Sequence, residues 1–280
     1  MKIGITNNFY LEEDGTTNYQ LMKKHGFDCA DYQYLCNIGG ECYTKSEDEV
    51  LKMLTEERKA ANDAGIEFSQ VHGPWYVYDT SEEKRRSNMV CMKRCVMGTK
   101  ALGSKYMVVH PVMPYGWNKE EDPAFAVEVN RAYFTELCDY AADYGVDICI
   151  ENMPLTVKHI HTIASMESLA VFCKQVDKPN FKVCMDTGHA NITDDDIFGG
   201  MRQCGSLIKV LHLHDNNGRA DDHRFPYEGS FDWATFKTVI KEIGFDGTYS
   251  IESSFNGSCP YDLKETYLIT LAKAARSIAE

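Results

Sequence analysis

Two hydrophobic patterns alternate along this chain. Short runs such as EFSQVH, YMVV, DICI, FKVC and IKVL are dense in apolar and β-branched residues. Longer stretches between them carry apolar positions at helical spacing. Together they predict eight strand–helix units. Strands are expected to start near Lys2, Asp28, Ile66, Lys105, Val146, Phe181, Ile208 and Thr248. Amphipathic helices fall near 17–25, 47–64, 81–102, 121–143, 166–176, 195–204, 232–243 and 262–278. Gly26, Gly65, Gly103, Gly145 and Gly244 each follow a helical pattern and precede a strand. Glycine there supplies the left-handed residue that ends a helix. Ser46 with Glu49, and Thr80 with Glu83, have capping-box spacing at two helix starts. No linker interrupts the series, so residues 1–280 read as one domain.

Alternating strands and helices make a parallel sheet, either an open doubly wound sheet or a closed barrel. The strand ends separate the two. Six successive strand segments finish on a residue able to bind a metal: IEFSQVH on His72, YMVVH on His110, DICIE on Glu151, FKVCMD on Asp186, IKVLH on His212 and TYSIE on Glu252. Asp, Glu and His together make up less than a fifth of the chain, so six in six calls for a cause. A single α/β (β/α)8 TIM barrel gathers the carboxyl ends of its strands around one point, and its active site lies there. An open sheet does not easily do so.

Composition narrows the class. At 44% hydrophobic residues the chain can bury a large core. No run approaches the ~18 apolar residues of a membrane span. The start, MKIGITNNF, enters a strand at once and lacks a signal-peptide layout. Eleven cysteines, an odd number without any CxxC, read as free and largely buried thiols in a reducing cytoplasm. A net charge of −13 argues against nucleic acid as a partner, because phosphate contacts need a basic face.

Glu151 and Glu252 carry the strongest chemical argument. An apolar strand that delivers a carboxylate to a packed barrel mouth pays heavily unless a cation or a proton compensates. More of the same chemistry flanks the strand ends: His189 after Asp186, then His214, Asp215, Asp221 and His223 after His212. A lone histidine such as His72, taken by itself, reads as an ordinary satisfied polar group. His25 carries no functional argument, and His159 and His161 fall on the loop after the fifth strand. Arg85, Arg86, Lys93 and Arg94 spread over one helix as a solvated face. Trp75, Tyr76, Tyr78, Tyr115 and Trp117 either wall a pocket for a polyol or pack their own loops. The segment SSFNGS after Glu252 offers a phosphate cradle before a helix.

Taken together, VHGP, VVHP, IEN, MDTGH, LHLHD, DDH, EGSFDW and IES resemble the xylose-isomerase-like superfamily of barrels, and within it the sugar phosphate isomerase/epimerase group. The resemblance covers essentially the whole chain. It implies one divalent metal ion (Mn, Zn, Co or Mg) held by Glu151, Asp186, His212 and Glu252. It also implies a sugar, sugar phosphate or keto-polyol substrate that loses and regains a carbon-bound proton through a metal-stabilised enediolate. Glu151 and Glu252 would be the acid–base pair, and His189, His72, His110, His223 and Arg219 substrate contacts. Dehydration of a keto-inositol shares the first step and is one alternative. The other is a phosphodiesterase similar to endonuclease IV, whose three-zinc ligand set finds counterparts in His72, His110, Glu151, Asp186, His189, His212, Asp221, His223 and Glu252, so additional zinc belongs to that reading. The partner expected is a small carbohydrate, with neither nucleic acid nor membrane; a homo-oligomer stays open.

Overall fold

The computed structural model describes residues 1–76, 78–112, 122–154, 162–255 and 259–280. Eight strands form one parallel sheet: Ile3–Thr6 (β1), Cys29–Tyr32 (β2), Glu67–His72 (β3), Tyr106–Val109 (β4), Asp147–Glu151 (β5), Phe181–Asp186 (β6), Ile208–His212 (β7) and Tyr249–Ile251 (β8). Ladders run in the order β7-β6-β5-β4-β3-β2-β1-β8. The ring closes between β7 and β8 through a parallel bridge from Leu213 to Ile251. There the Leu213 amide donates to Ser250 O at 2.8 Å, and the Glu252 amide donates to Leu213 O at 3.1 Å. The expected barrel is therefore the observed one.

Ten α-helices are present among the described residues: Tyr19–Lys24 (α1), Glu41–Thr44 (α2), Glu47–Asp63 (α3), Glu82–Leu102 (α4), Pro123–Ala142 (α5), Met166–Val176 (α6), Thr187–Thr193 (α7), Ile197–Cys204 (α8), Trp233–Glu242 (α9) and Tyr261–Ala279 (α10). Eight of these are the helices expected from periodicity. The short α2 and α7 are not. α7 runs straight on from β6, capped by Asp186, whose Oδ1 accepts from the His189 amide at 2.6 Å. All five punctuation glycines have positive φ, between +66° and +103°. The capping box at Ser46 and Glu49 forms. The one at Thr80 and Glu83 does not. Asp79 accepts from the Ser81 amide at 2.8 Å, and that turn makes Ser81 the cap, bonded to the Lys84 amide at 3.4 Å.

The strands of β1, β2 and β5 are buried at every position, as parallel strands covered on both faces should be. Inside the barrel, Val108, Cys149, Cys184 and Val210 form a small cluster apart from the main core. Each lies two residues before His110, Glu151, Asp186 or His212. Side chains alternate faces along a strand, so those four project to the same interior one layer higher. All eleven cysteines are free thiols, most of them buried. Among the described residues, no helix is long and apolar enough to cross a membrane.

The loop from β7 to α9 is built on buried Asp215. Its carboxylate accepts from the amides of Asn216 (2.8 Å), Tyr227 (3.1 Å) and Phe231 (3.1 Å), and from Trp233 Nε1 (2.8 Å). Sequence grouped Asp215 with the candidate chemistry; its lone pairs are spent on folding the loop. Asp215→Ala leaves these donors without an acceptor and is expected to lower stability by about 3 kcal/mol or more. In urea unfolding the midpoint should fall while the slope stays unchanged.

Candidate metal centre

Strands β3 to β8 bring their ends to one point, and the side chains there are acids and imidazoles. His212, fully buried at the end of β7, is the hub. Its Nδ1 lies 3.0 Å from Glu151 Oε1 and 2.9 Å from Glu252 Oε2. Glu151, Asp186, His212 and Glu252 each bring one ligand atom to within 4.8 Å of the others. Three carboxylates and one imidazole form a donor set for Mn²⁺, Mg²⁺, Co²⁺ or Zn²⁺. Glu151 Oε2 is buried, and the groups that face it are the imidazoles of His72 and His110.

Two further groups adjoin this one. His72 Nε2 and His110 Nε2 stand 3.4 and 3.0 Å from Glu151 Oε2. On the other side, Asp221 Oδ2 faces His189 Nε2 at 3.2 Å and His223 Nε2 at 3.1 Å. His214 joins the second group: its Nε2 contacts Asp186 Oδ2 at 2.8 Å, and its ring stacks on His223 at 4.0 Å between centroids. The sequence places His214 beside the motif without assigning it a role. The two-residue period of LHLHD puts it on the face of His212, which was the available signal.

Backbone architecture aims these groups. Asn152 exchanges hydrogen bonds with the backbone of Asp186, and its own carbonyl faces His189 Nδ1 at 2.8 Å. The Thr187 hydroxyl donates to His214 O at 2.7 Å and accepts from the His214 amide at 3.0 Å. Residue 188 must be glycine, because a Cβ there would lie 2.0 Å from His214 Cε1. His223 sits at φ +47°, and its Nδ1 faces the Glu252 carbonyl at 2.6 Å.

Electrostatics follow from burial against paired charge. Burial pushes the Glu151 carboxyl up, but His212 and His110 outweigh it and hold it well below the carboxylate range. Burial likewise raises Glu252, yet His212 draws it down to about 2. Burial lowers His189, whereas Asp186 and Asp221 raise it to about 10. His223 is lowered by burial and lifted by Asp221 to about 9. His110 is depressed by its burial.

Of the residues named from sequence, His72, His110, Glu151, Asp186, His189, His212, His223 and Glu252 meet at this mouth. Arg219 is exposed on the loop after β7 and makes none of these contacts. His25 is a core histidine, 3.0 Å from Tyr10 Oη. Among the aromatics, Trp75 faces the site, its ring 5.3 Å from that of His110. Tyr78 packs instead on Phe125 and under Arg85. Tyr115, Trp117, His159, His161 and the 256–258 part of the phosphate cradle lie outside the described residues. Asp31 and Gln70, buried in the same mouth, went unnoticed because neither ends a strand-like run.

The comparisons with known proteins agree with the fold. An uncharacterised protein of Methanocaldococcus jannaschii is 29% identical over 259 residues, covering 90% of this chain and 84% of that one. D-psicose 3-epimerase of Agrobacterium fabrum is 26% identical over 204 residues, 71% of this chain and 68% of the relative. Among solved structures, D-psicose 3-epimerase with D-tagatose from Clostridium cellulolyticum H10 superposes with a TM-score of 0.83 at 20% identity, over 100% of both chains. The IolI protein with a bound zinc atom superposes with a TM-score of 0.77 at 21% identity, over 99% of this chain and 98% of the other. These two likenesses speak for the fold. Residues 19–268 match a family model outright, and the chain belongs to the xylose isomerase-like TIM barrel family.

Proposed function

We propose that this chain is a divalent-metal-dependent isomerase or epimerase of a sugar, sugar phosphate or keto-polyol, with Glu151 and Glu252 as its acid–base pair. The observation that carries the reading is the convergence of both glutamates on one nitrogen of His212, at 3.0 and 2.9 Å, beside Asp186. The ketose epimerases among its relatives favour a ketose as substrate.

A divalent ion held by Glu151, Asp186, His212 and Glu252 would polarise the substrate carbonyl and so acidify the neighbouring C–H. The chain's own groups do the rest. Glu151 and Glu252 arrive from β5 and β8, three strands apart around the ring. One removes the carbon-bound proton. Return by the other, on the opposite face, gives epimerisation; return by the same base to the adjacent carbon gives aldose–ketose isomerisation. His189, held through Nδ1 by the Asn152 carbonyl, points Nε2 at Asp221, and a substrate oxygen that displaces this carboxylate would take the hydrogen bond where charge develops. His72, His110 and His223 line the rim as polar contacts for sugar hydroxyls. The Trp75 indole offers its apolar face to the ring carbons.

A second reading, a multinuclear zinc phosphodiesterase, draws on the two further ligand groups around His72–His110 and His189–Asp221–His223. A formal charge of −13 weighs against approach by a polyanion.

Three measurements test the proposal. Elemental analysis should find a divalent metal in the wild type and little in Asp186→Ala; equal contents would refute the ligand assignment. With a ketose in D₂O, turnover should place deuterium on carbon, and Glu252→Gln should lose about 10²-fold or more in kcat, with its metal content measured alongside. Product free of deuterium would point to a hydride shift. Finally, His223→Ala should alter turnover or KM on sugars while metal stays near one per chain. Three metals in the wild type, fewer in this variant, with cleavage of abasic-site DNA, would establish the phosphodiesterase.

A further inference from the structure

Asp31 is the third residue of β2, fully buried on the interior face of the barrel. Its Oδ2 accepts from Gln70 Nε2 at 3.0 Å and from Gln33 Nε2 at 3.4 Å, and it stands 3.2 Å from His212 Nε2. Asp31 Oδ1 and His212 Nε2 are both buried, and neither has a hydrogen-bond partner. Buried polar atoms are nearly always paired. A carboxylate turns freely about its terminal torsion, so Asp31 can present either oxygen to that nitrogen.

The two nitrogens of His212 thus have separate surroundings. Nδ1 faces the candidate ligands Glu151 and Glu252. Among the described residues, the carboxylate within ion-pair distance of Nε2 is that of Asp31. The amides that hold Asp31 reach the same machinery. Gln70 Nε2 also donates to Leu211 O at 3.4 Å, the carbonyl just before His212. Gln33 Nε2 also donates to Glu252 Oε1 at 3.3 Å. An imidazole that ligates through Nδ1 keeps its proton on Nε2, and an acceptor there fixes both the tautomer and the ring rotation.

We propose that Asp31 is a positioning residue of the metal centre: its carboxylate accepts the Nε2–H of His212, holds Nδ1 toward the ligand carboxylates and places a compensating negative charge behind the ring. This inference rests on the metal-dependent reading above, and it adds β2 and β3 to a centre otherwise supplied by β5 to β8.

The variant to compare with wild type is Asp31→Asn. It keeps an oxygen for Gln70 and His212 where Asp31 Oδ2 stands but removes the negative charge, so the acceptor behind the ring is weakened. Calorimetric titration with MnCl₂ should show affinity lower by about 10- to 100-fold. The visible absorption bands of the Co²⁺-loaded variant should shift, while the melting temperature of the metal-free variant stays close to wild type. Wild-type Mn²⁺ affinity and cobalt spectrum in Asp31→Asn would overturn the role of Asp31 and leave the metal reading standing. A fall in metal-free melting temperature with unchanged affinity would make Asp31 a plain core residue and equally overturn it. Wild-type protein that takes up no metal would remove both readings. Should the variant not fold, ¹H–¹⁵N NMR of wild type loaded with Zn²⁺ decides: a slowly exchanging Nε2–H on His212 supports the proposal, and metal on Nε2 refutes it.

Discussion

Buried charge governs this molecule. Carboxylates from β2, β5, β6 and the β8 end stand in a barrel mouth from which water is largely excluded, and each is tolerable only because an imidazole or an amide faces it. The arrangement is one network rather than separate pairs. Glu151 meets His72, His110, His189 and His212. Asp186 meets His214 and caps α7, the helix that carries His189. A cation fits such a place because anionic groups outnumber what a hydrophobic core accepts. Truncating one member exposes the rest to uncompensated charge, so losses here should be larger than single contacts suggest.

Much of this was legible in the chain, for a physical reason. Parallel strands buried on both faces read as apolar runs, and a polar residue terminating such a run stands out. That rule found the ends of β3 to β8 and with them His72, His110, Glu151, Asp186, His212 and Glu252. Helix punctuation was readable because positive φ selects glycine. Asp31 escaped because the strand carries on through Tyr32, which hides the acid within DCADYQ. His214 escaped a role because the ladder of β7 ends before it. α7 escaped because a helix of that length, launched directly from a strand, leaves no periodicity to count. Ser81 took the cap from Thr80 through a side-chain contact to Asp79 that spacing alone does not weigh.

The site is also held from below. Val108, Cys149, Cys184 and Val210 fill the barrel beneath the candidate ligands, so that layer rests on packed side chains. Positions 188 and 215 set the remaining geometry: a residue with no side chain lets His214 approach α7, and a carboxylate with no free lone pair folds the loop carrying Asp221 and His223. Rigidity at the mouth follows from these supports.

The join between β7 and β8 now acquires a second meaning. Seven of the strand-to-strand contacts are full ladders, whereas this one is a single bridge at Leu213 and Ile251. His212 lies on one side of that seam and Glu252 on the other. An ion they share would stitch the seam, and its binding free energy would count toward keeping the ring shut. The last strand and its helix are then fastened to the rest of the barrel by the same atoms that would do the chemistry.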